Sequence, residues 1–253
     1  MIGVIIQVRT TSTRLPGKVL LKIKNYSILD YVINQVKSAK KFNMIVIATT
    51  NNKTDDVIIK LAQSKNIPYF RGDEDDVLDR YYQCAKNFNF KTIVRITSDN
   101  PLIDPDLIDK CIMIFKNNNY DYVSTEHPPS FPQGFAVEVF SFNSLEIAWK
   151  NSRKWSEREH VTPYFYNNPK KFNLYNFSNN TDLSHIRCTL DRKNDYEFIK
   201  EIITKIENRP IHIMDILDVI KNNPHLLKIN ENNVHNEGYL KSIQEEKDFF
   251  PKK

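Results

Sequence analysis

Ile2-Gly-Val-Ile-Ile-Gln7-Val-Arg9-Thr-Thr-Ser12-Thr-Arg14-Leu-Pro16-Gly17-Lys18 is the stretch on which the reading of this chain turns. Ile2 to Ile6 is a short apolar run of the kind that forms a buried strand. Behind it come three cations (Arg9, Arg14 and Lys18), hydroxyls at Thr10, Thr11 and Ser12, and the turn pair Pro16-Gly17. Such a loop at a strand end suits an oligophosphate. Hydroxyls and backbone N–H groups donate, fixed cations offset negative charge, and glycine lets the main chain come close. The plain alternative is a solvated basic loop, the common fate of strand-end connections.

Working outward, strand and helix patterns alternate through the first half of the chain. An amphipathic stretch, Ile28 to Lys40, predicts a helix, and Met44 to Ala48, ending in Thr49-Thr50, predicts a strand. A helix over about Thr54 to Ser64 is expected, capped by Thr54 with two aspartates behind it. A short strand (Pro68 to Phe70), a helix (about Asp76 to Asn87) and a strand (Thr92 to Thr97) follow. Alternation of this kind predicts an α/β fold: a mostly parallel twisted sheet with helices on both faces. Ligands of such sheets bind outside the carboxyl ends of the strands, where Gln7 to Lys18, Thr49-Thr50 and Thr97 to Asn100 would converge.

The second half reads differently. Strands are expected at Tyr120–Thr125, Phe135–Phe140, Phe172–Phe177 and Ile186–Leu190, and an irregular loop at Pro128–Gly134. Helices are expected at about Ser144–Asn151, from Ser156, at Asn194–Ile206 and at Met214–Lys221. After about residue 225 the polar tail carries no readable element. With no linker or repeat in view, the chain reads as one domain over 1–253 with an inserted lobe near 120–180, a candidate dimerisation arm.

Composition bounds the function. The 253 residues are 40% hydrophobic and 26% charged, ordinary for a chain with a packed core. A net charge of +5 without basic blocks is mild support for an anionic partner such as a polyphosphate nucleotide. Cys84, Cys111 and Cys188 are too far apart for a zinc knuckle or a disulfide framework. The chain opens directly on a strand and contains no apolar run of spanning length, so a cytoplasmic protein without a membrane segment is expected. Lys18 is followed by Val19 and position 12 is serine, so the loop is no Walker motif. The five glycines are scattered, which excludes a dinucleotide fingerprint.

Gln7-x-Arg9-x-x-Ser12-x-Arg14-Leu-Pro-Gly-Lys18 resembles the signature loop of the cytidylyltransferases of the spore-coat polysaccharide type. The enzymes that make CMP-3-deoxy-manno-octulosonate and CMP-sialic acid are more distant relatives of that group. The resemblance implies a nucleotide-diphospho-sugar transferase-like fold, CTP as nucleotide, Mg²⁺ as cofactor, homodimerisation, and transfer of CMP to an acidic sugar or related acceptor for surface polysaccharide or glycoconjugate synthesis. It implies catalytic roles for Arg14, Lys18 and Asp99, with Gln7, Arg9 and Ser12 beside them on the nucleotide. Thr97-Ser-Asp99-Asn-Pro is similar to the family's metal-binding stretch. Asp191, in Arg187-Cys-Thr-Leu-Asp191-Arg-Lys-Asn-Asp195, matches its second metal ligand. By themselves, Asp99 reads first as the residue of a turn before Asn100-Pro101, and Asp191 follows an expected strand while Asp195 reads as a first-turn charge of the next helix.

Arg71-Gly72-Asp73-Glu-Asp-Asp-Val-Leu-Asp-Arg80 is similar to a family segment beside the nucleotide, which brings in Gly72, Asp73 and Arg80. Without that likeness its acids read as a helix N-terminus. Thr49 and Thr50 are candidates to edge the base pocket. The blocks around Gln133 and Glu138 and around Arg158 and His160 resemble the acceptor side, with Arg158 a candidate clamp for a carboxylate or phosphate. A glycosyltransferase on the same sheet is the alternative within enzymes, and a basic RNA-binding module the alternative outside them. Against the latter, the cations are concentrated in one loop and no aromatic-basic signature is present, so no nucleic-acid partner is expected.

Overall fold

The computed structural model describes residues 1–249. In chain order the elements are β1 (Ile2–Gln7), β2 (Lys22–Ile23), β3 (Tyr26–Ser27), α1 (Ile28–Ser38), β4 (Met44–Thr50), α2 (Asp56–Ser64), β5 (Tyr69–Gly72), α3 (Val77–Asn87), β6 (Thr92–Thr97) and α4 (Pro105–Asn117). There follow β7 (Tyr122–Ser124), β8 (Glu138–Ser141), α5 (Phe142–Asn151), α6 (Trp155–His160), α7 (Pro163–Tyr166), β9 (Leu174–Asn176), α8 (Lys193–Lys205), α9 (Ile213–Asn222) and α10 (Glu237–Phe249).

One seven-stranded sheet runs β5-β4-β1-β6-β8-β7-β9. β5, β4, β1 and β6 are parallel, β8 is antiparallel to both β6 and β7, and β9 is parallel to β7. β8 alone reverses direction, so the expected mostly parallel sheet is present. β1 lies inside the sheet between β4 and β6 and alternates sides, as a strand must. Val4 and Ile6 join the core under α1, α4 and α8, while Ile5 joins the other core under α3 and α5. Both sets are fully buried, and each such side chain contributes about 1.5–3 kcal/mol of burial. Helices therefore cover both faces, and the carboxyl ends of β1 and β6 are free to carry loops.

Several local expectations are corrected. Ile186–Leu190 is not a strand. It meets the irregular loop before β8 through a single bridge, Gln133 to Arg187, and has no neighbouring strand to extend it. β8 starts at Glu138 rather than Phe135, because Phe135 and Val137 bond with Thr125 outside a ladder. Thr54 does not cap α2. A 3₁₀ turn, Lys53–Asp55, precedes that helix and turns Asp55 inward. α4, with Asp104 as N-cap and Pro105 in its first turn, and α10 in the polar tail were not anticipated. Segment 120–180 supplies β7, β8 and β9, which continue the sheet, and α5 to α7.

Candidate active site

At the carboxyl end of the central strands lies a cleft of about 730 Å³, lined by the loop after β1, the ends of β6 and β8, the 187–191 segment and α10. The loop is folded on itself by Gly17 N–H donating to Thr10 O (2.9 Å) and Lys18 N–H to Leu15 O (3.2 Å). Gly17 sits at φ 68°, a left-handed conformation that favours glycine. The loop is also anchored from behind. Asp55, fully buried, accepts from Thr10 N–H (2.8 Å) and from the hydroxyls of Thr10 (2.6 Å), Thr49 (3.1 Å) and Thr50 (2.6 Å). Burial alone would raise its pKa, but these donors hold it below the ordinary carboxylate value. Glu74 ties the loop's front edge by accepting from Arg9 (3.3 Å), Thr11 and Asn52.

Lys18 is the centre of the arrangement. Its ammonium donates to Asp99 Oδ2 (3.0 Å), Asp191 Oδ1 (2.9 Å) and the Leu190 carbonyl (2.6 Å). Burial pulls the ammonium's pKa down, yet the two carboxylates outweigh it and leave it above the usual lysine value. Asp191 also meets Arg14 (2.6 Å) and, on its other oxygen, Arg187 (3.1 Å). Burial pushes that carboxyl up, but Lys18 and Arg14 hold it well below the carboxylate range. Asp195, fully buried, fixes the turn by binding the Arg187 guanidinium (2.8 Å) and the N–H groups of Asp191 and Arg192. The two aspartates expected to share a cation do meet around one charge, and that charge is Lys18. As hard carboxylate donors side by side they also fit Mg²⁺, which takes one or two carboxylates plus phosphate and water oxygens. Asp99 spends one oxygen on Lys18, whereas both oxygens of Asp191 are engaged.

The remaining nucleotide-side candidates divide. Gln7, Arg9, Ser12, Arg14, Arg80 and Thr97 line the cleft. Arg80 is 2% exposed, donates to the Asp73 carbonyl (3.0 Å) and pairs with no carboxylate among the described residues. Gly72 makes room for it, since a Cβ there would come within 2.9 Å of Arg80 Cγ. Thr49 and Thr50 are corrected: both are fully buried on Asp55 and cannot edge a base pocket. Asp73 is also outside the lining, because its carboxylate accepts from the N–H groups of Asp75 and Asp76 and so shapes the turn before α3.

On the opposite side, Glu138 is buried against Arg95 and the Tyr122 hydroxyl (2.5 Å). Burial raises the Glu138 carboxyl, and Arg95 together with the Tyr122 and Thr162 hydroxyls more than reverses this. Gln133 holds Arg187 (3.0 Å), and His160 shares a hydrogen bond with Ser242 (3.1 Å). Arg158 is corrected: it is spent on Asp76 and the Trp149 carbonyl (2.9 Å) and does not line the cleft.

Sequence reading missed Arg95, Glu126, His127 and His235 among the lining groups. Arg95 had a signal, a cation inside the apolar run Thr92–Thr97. Burial, reinforced by Glu138, pushes Glu126 up to about 8. Five buried polar atoms on lining residues have no hydrogen-bond partner: Gln7 Oε1, Asn100 Oδ1 and the Nε atoms of Arg14, Arg80 and Arg95. Elsewhere among the described residues only Ser152 Oγ is in that condition. Orphaned buried polar groups concentrate where a polar ligand is received.

A cationic loop and paired carboxylates at the carboxyl edge of a mostly parallel sheet are the equipment of a nucleotidyltransferase. A family model described as Cytidylyltransferase matches residues 3–239. The chain belongs to that family, and the protein is a cytidylyltransferase. It is 41% identical over 230 residues to an uncharacterized protein of Methanocaldococcus jannaschii, covering 90% of this chain and 93% of that one. It is 32% identical over 228 residues to the spore coat polysaccharide biosynthesis protein SpsF of Bacillus subtilis, covering 87% and 94%. The solved structure of a cytidylyltransferase from Leptospira borgpetersenii superposes with a TM-score of 0.87 at 32% identity, covering 93% and 99%. Among the described residues no helix is long and apolar enough to cross a membrane.

Proposed function

We propose that this protein moves CMP from CTP to an oxygen of a small acidic sugar, or a related hydroxylated acid, with release of pyrophosphate. The supporting observation is Lys18, bonded to both Asp99 and Asp191 at the mouth of the loop that carries Arg9 and Arg14. The acceptor hydroxyl loses its proton to solvent and its oxygen attacks the α-phosphorus, while the bond to the bridging oxygen of the β-phosphate breaks and its electron pair leaves with pyrophosphate. Little covalent chemistry is asked of the protein, so positioning and charge stabilisation carry the rate. Arg9, Arg14 and Lys18 hold the departing phosphates. Arg80, buried and without a carboxylate, is the cation most open to an additional anion.

Asp99 and Asp191 would hold Mg²⁺, which supplies Lewis-acid polarisation of phosphate oxygens when bound. For the acceptor's acid group the clamp passes from Arg158 to Arg95, whose Nε is unpartnered, with Glu126, Glu138 and His127 around it for hydroxyls. Placement in surface polysaccharide synthesis follows the resemblance to the B. subtilis protein, and dimerisation through the 120–180 segment belongs to the same proposal.

The test is a pyrophosphate-release screen of CTP, ATP, GTP and UTP against a panel of sugar acids and matched neutral sugars, with Mg²⁺ and with chelator. Acceptor-dependent release from CTP with a sugar acid, lost with chelator, is expected. Release from no acid, or equal release from all four nucleotides, would overturn the reading. Gel filtration reads the dimer.

A further inference from the structure

α10 forms one wall of the cleft and is held there mainly by polar contacts, with the half-buried Tyr239 ring edge-on to His160 and Ile243 half-buried as its apolar packing. Over Glu237 to Lys247 only Ser242 is buried, and Leu240 is 53% exposed. Ser242 donates to Glu159, shares a hydrogen bond with His160 (3.1 Å), and Glu246 accepts from the Ser156 N–H. Apolar burial is what resists local opening, so a helix with little of it opens at small free-energy cost. The preceding segment is built differently. Asn230 and Asn233 donate to the buried carboxylate of Asp195 at 3.0 and 2.8 Å. The Val234 carbonyl accepts from Arg187 (3.3 Å), so the chain is pinned to the site as far as Val234 and more loosely held along α10.

Glu237 opens this loosely held helix. Its carboxylate lies 2.6 Å from Arg192 Nη2 and 3.6 Å from Arg14 Nη1. Arg14 is the loop cation assigned above to the substrate's phosphates, and Asp191 already engages its other terminal nitrogen. Glu245, on the same helix, also lines the cleft and adds negative charge, while Lys241 opposes it. A triphosphate arriving at Arg14 competes with Glu237 for the guanidinium and repels both glutamates. With its greater charge and roughly three times as many non-bridging oxygens as the carboxylate, it takes the donors.

We propose that Glu237 is a built-in occupant of the anion site at Arg14, and that α10 releases the cleft wall when a nucleoside triphosphate claims that arginine. The proposal rests on the cytidylyl-transfer reading. α10 acts as a strap that lowers nucleotide affinity by the strength of the Glu237 contacts and leaves once phosphates replace them. Calorimetric titration of CTP, without acceptor, into the wild-type protein and Glu237→Gln tests this. The variant should bind about two- to fivefold more tightly, the range set by partly exposed ion pairs. In hydrogen exchange on the wild type, amides of 237–247 should exchange faster with saturating CTP than without it. Equal or weaker binding by the variant, or slower exchange of 237–247 with CTP, overturns the strap while leaving the cytidylyl-transfer reading in place. Absence of CTP binding by wild type and variant alike overturns both.

Discussion

At the β1 end of the cleft the cations are answered by carboxylates. Lys18 meets Asp99 and Asp191, Arg14 meets Asp191, and Arg9 meets Glu74. At the β7–β8 end the balance is different. Arg95 and Glu138 neutralise each other, and Glu126, His127 and His235 stand beyond them with their pKa values moved by burial toward the uncharged forms. One end holds charge in a fixed lattice of short ion pairs. The other offers hydrogen-bonding groups that carry little charge near neutral pH. Under the proposed cytidylyl transfer, the phosphate chain would take the first end and the hydroxyl-rich acceptor the second. One continuous cleft can thus present two different electrostatic environments without a dividing wall.

The largest expected effect breaks the charged end. Lys18→Met removes the ammonium between two carboxylates and should lower turnover about 10²–10³-fold, the usual scale for deleting one preorganised charge-stabilising donor. Circular dichroism would establish that the variant is folded, and pyrophosphate release would measure the loss. Retained turnover would strip this end of its catalytic role. Next is Asp55→Asn, which leaves the donors of Thr10, Thr49 and Thr50 imperfectly matched. A stability loss of about 1–3 kcal/mol in urea is expected, together with a raised KM for CTP and little change in acceptor KM. An equal rise in both KM values would mean that Asp55 supports the whole fold rather than the phosphate loop.

The uncharged end is sharpened by pH. Glu126 is ordinarily near 4.5 and stands near 8 when folded, so the folded protein binds its proton more tightly. Its contribution to stability is full below about pH 4.5 and is lost as pH rises through 8. Glu126→Gln should therefore melt with the wild type at pH 4 and a few degrees above it at pH 8, as differential scanning fluorimetry would show. Identical melting at pH 8 would place a charged carboxylate there and blur the contrast between the ends. The smallest effect is expected from Arg158→Ala. Its pair with Asp76 lies outside the cleft, so stability should change by about 1 kcal/mol or less, with acceptor KM unmoved. A large rise in acceptor KM would return Arg158 to the site.

The charged end was legible in advance because its parts are local. Arg9, Arg14 and Lys18 fall within one loop directly behind a strand, and Asp99 follows the next parallel strand at the same edge. The other end was not. Glu126 and His127 lie in an irregular loop, His235 comes from the tail, and only Arg95 broke a visible pattern. Arg158 was misplaced for a related reason: a helix places its long side chain, but the neighbour that captures it, Asp76, is 82 residues away. Thr49 and Thr50 were placed at the right strand end but on the wrong side of it, since Asp55 draws both hydroxyls inward.

Periodicity and strand-end chemistry alone determined the α/β sheet, the phosphate-suited loop and the placing of Asp99 at the sheet's carboxyl edge. Those features follow from backbone geometry, which repeats every two or 3.6 residues and can be read along the chain. Tertiary structure decided that Lys18 joins Asp99 to Asp191, that Arg95 rather than Arg158 lines the cleft, and that α10 closes one wall. Such choices depend on which distant charge lies within about 3 Å of another. Ion pairing at that range is settled by packing between segments far apart in sequence, and no local pattern records it.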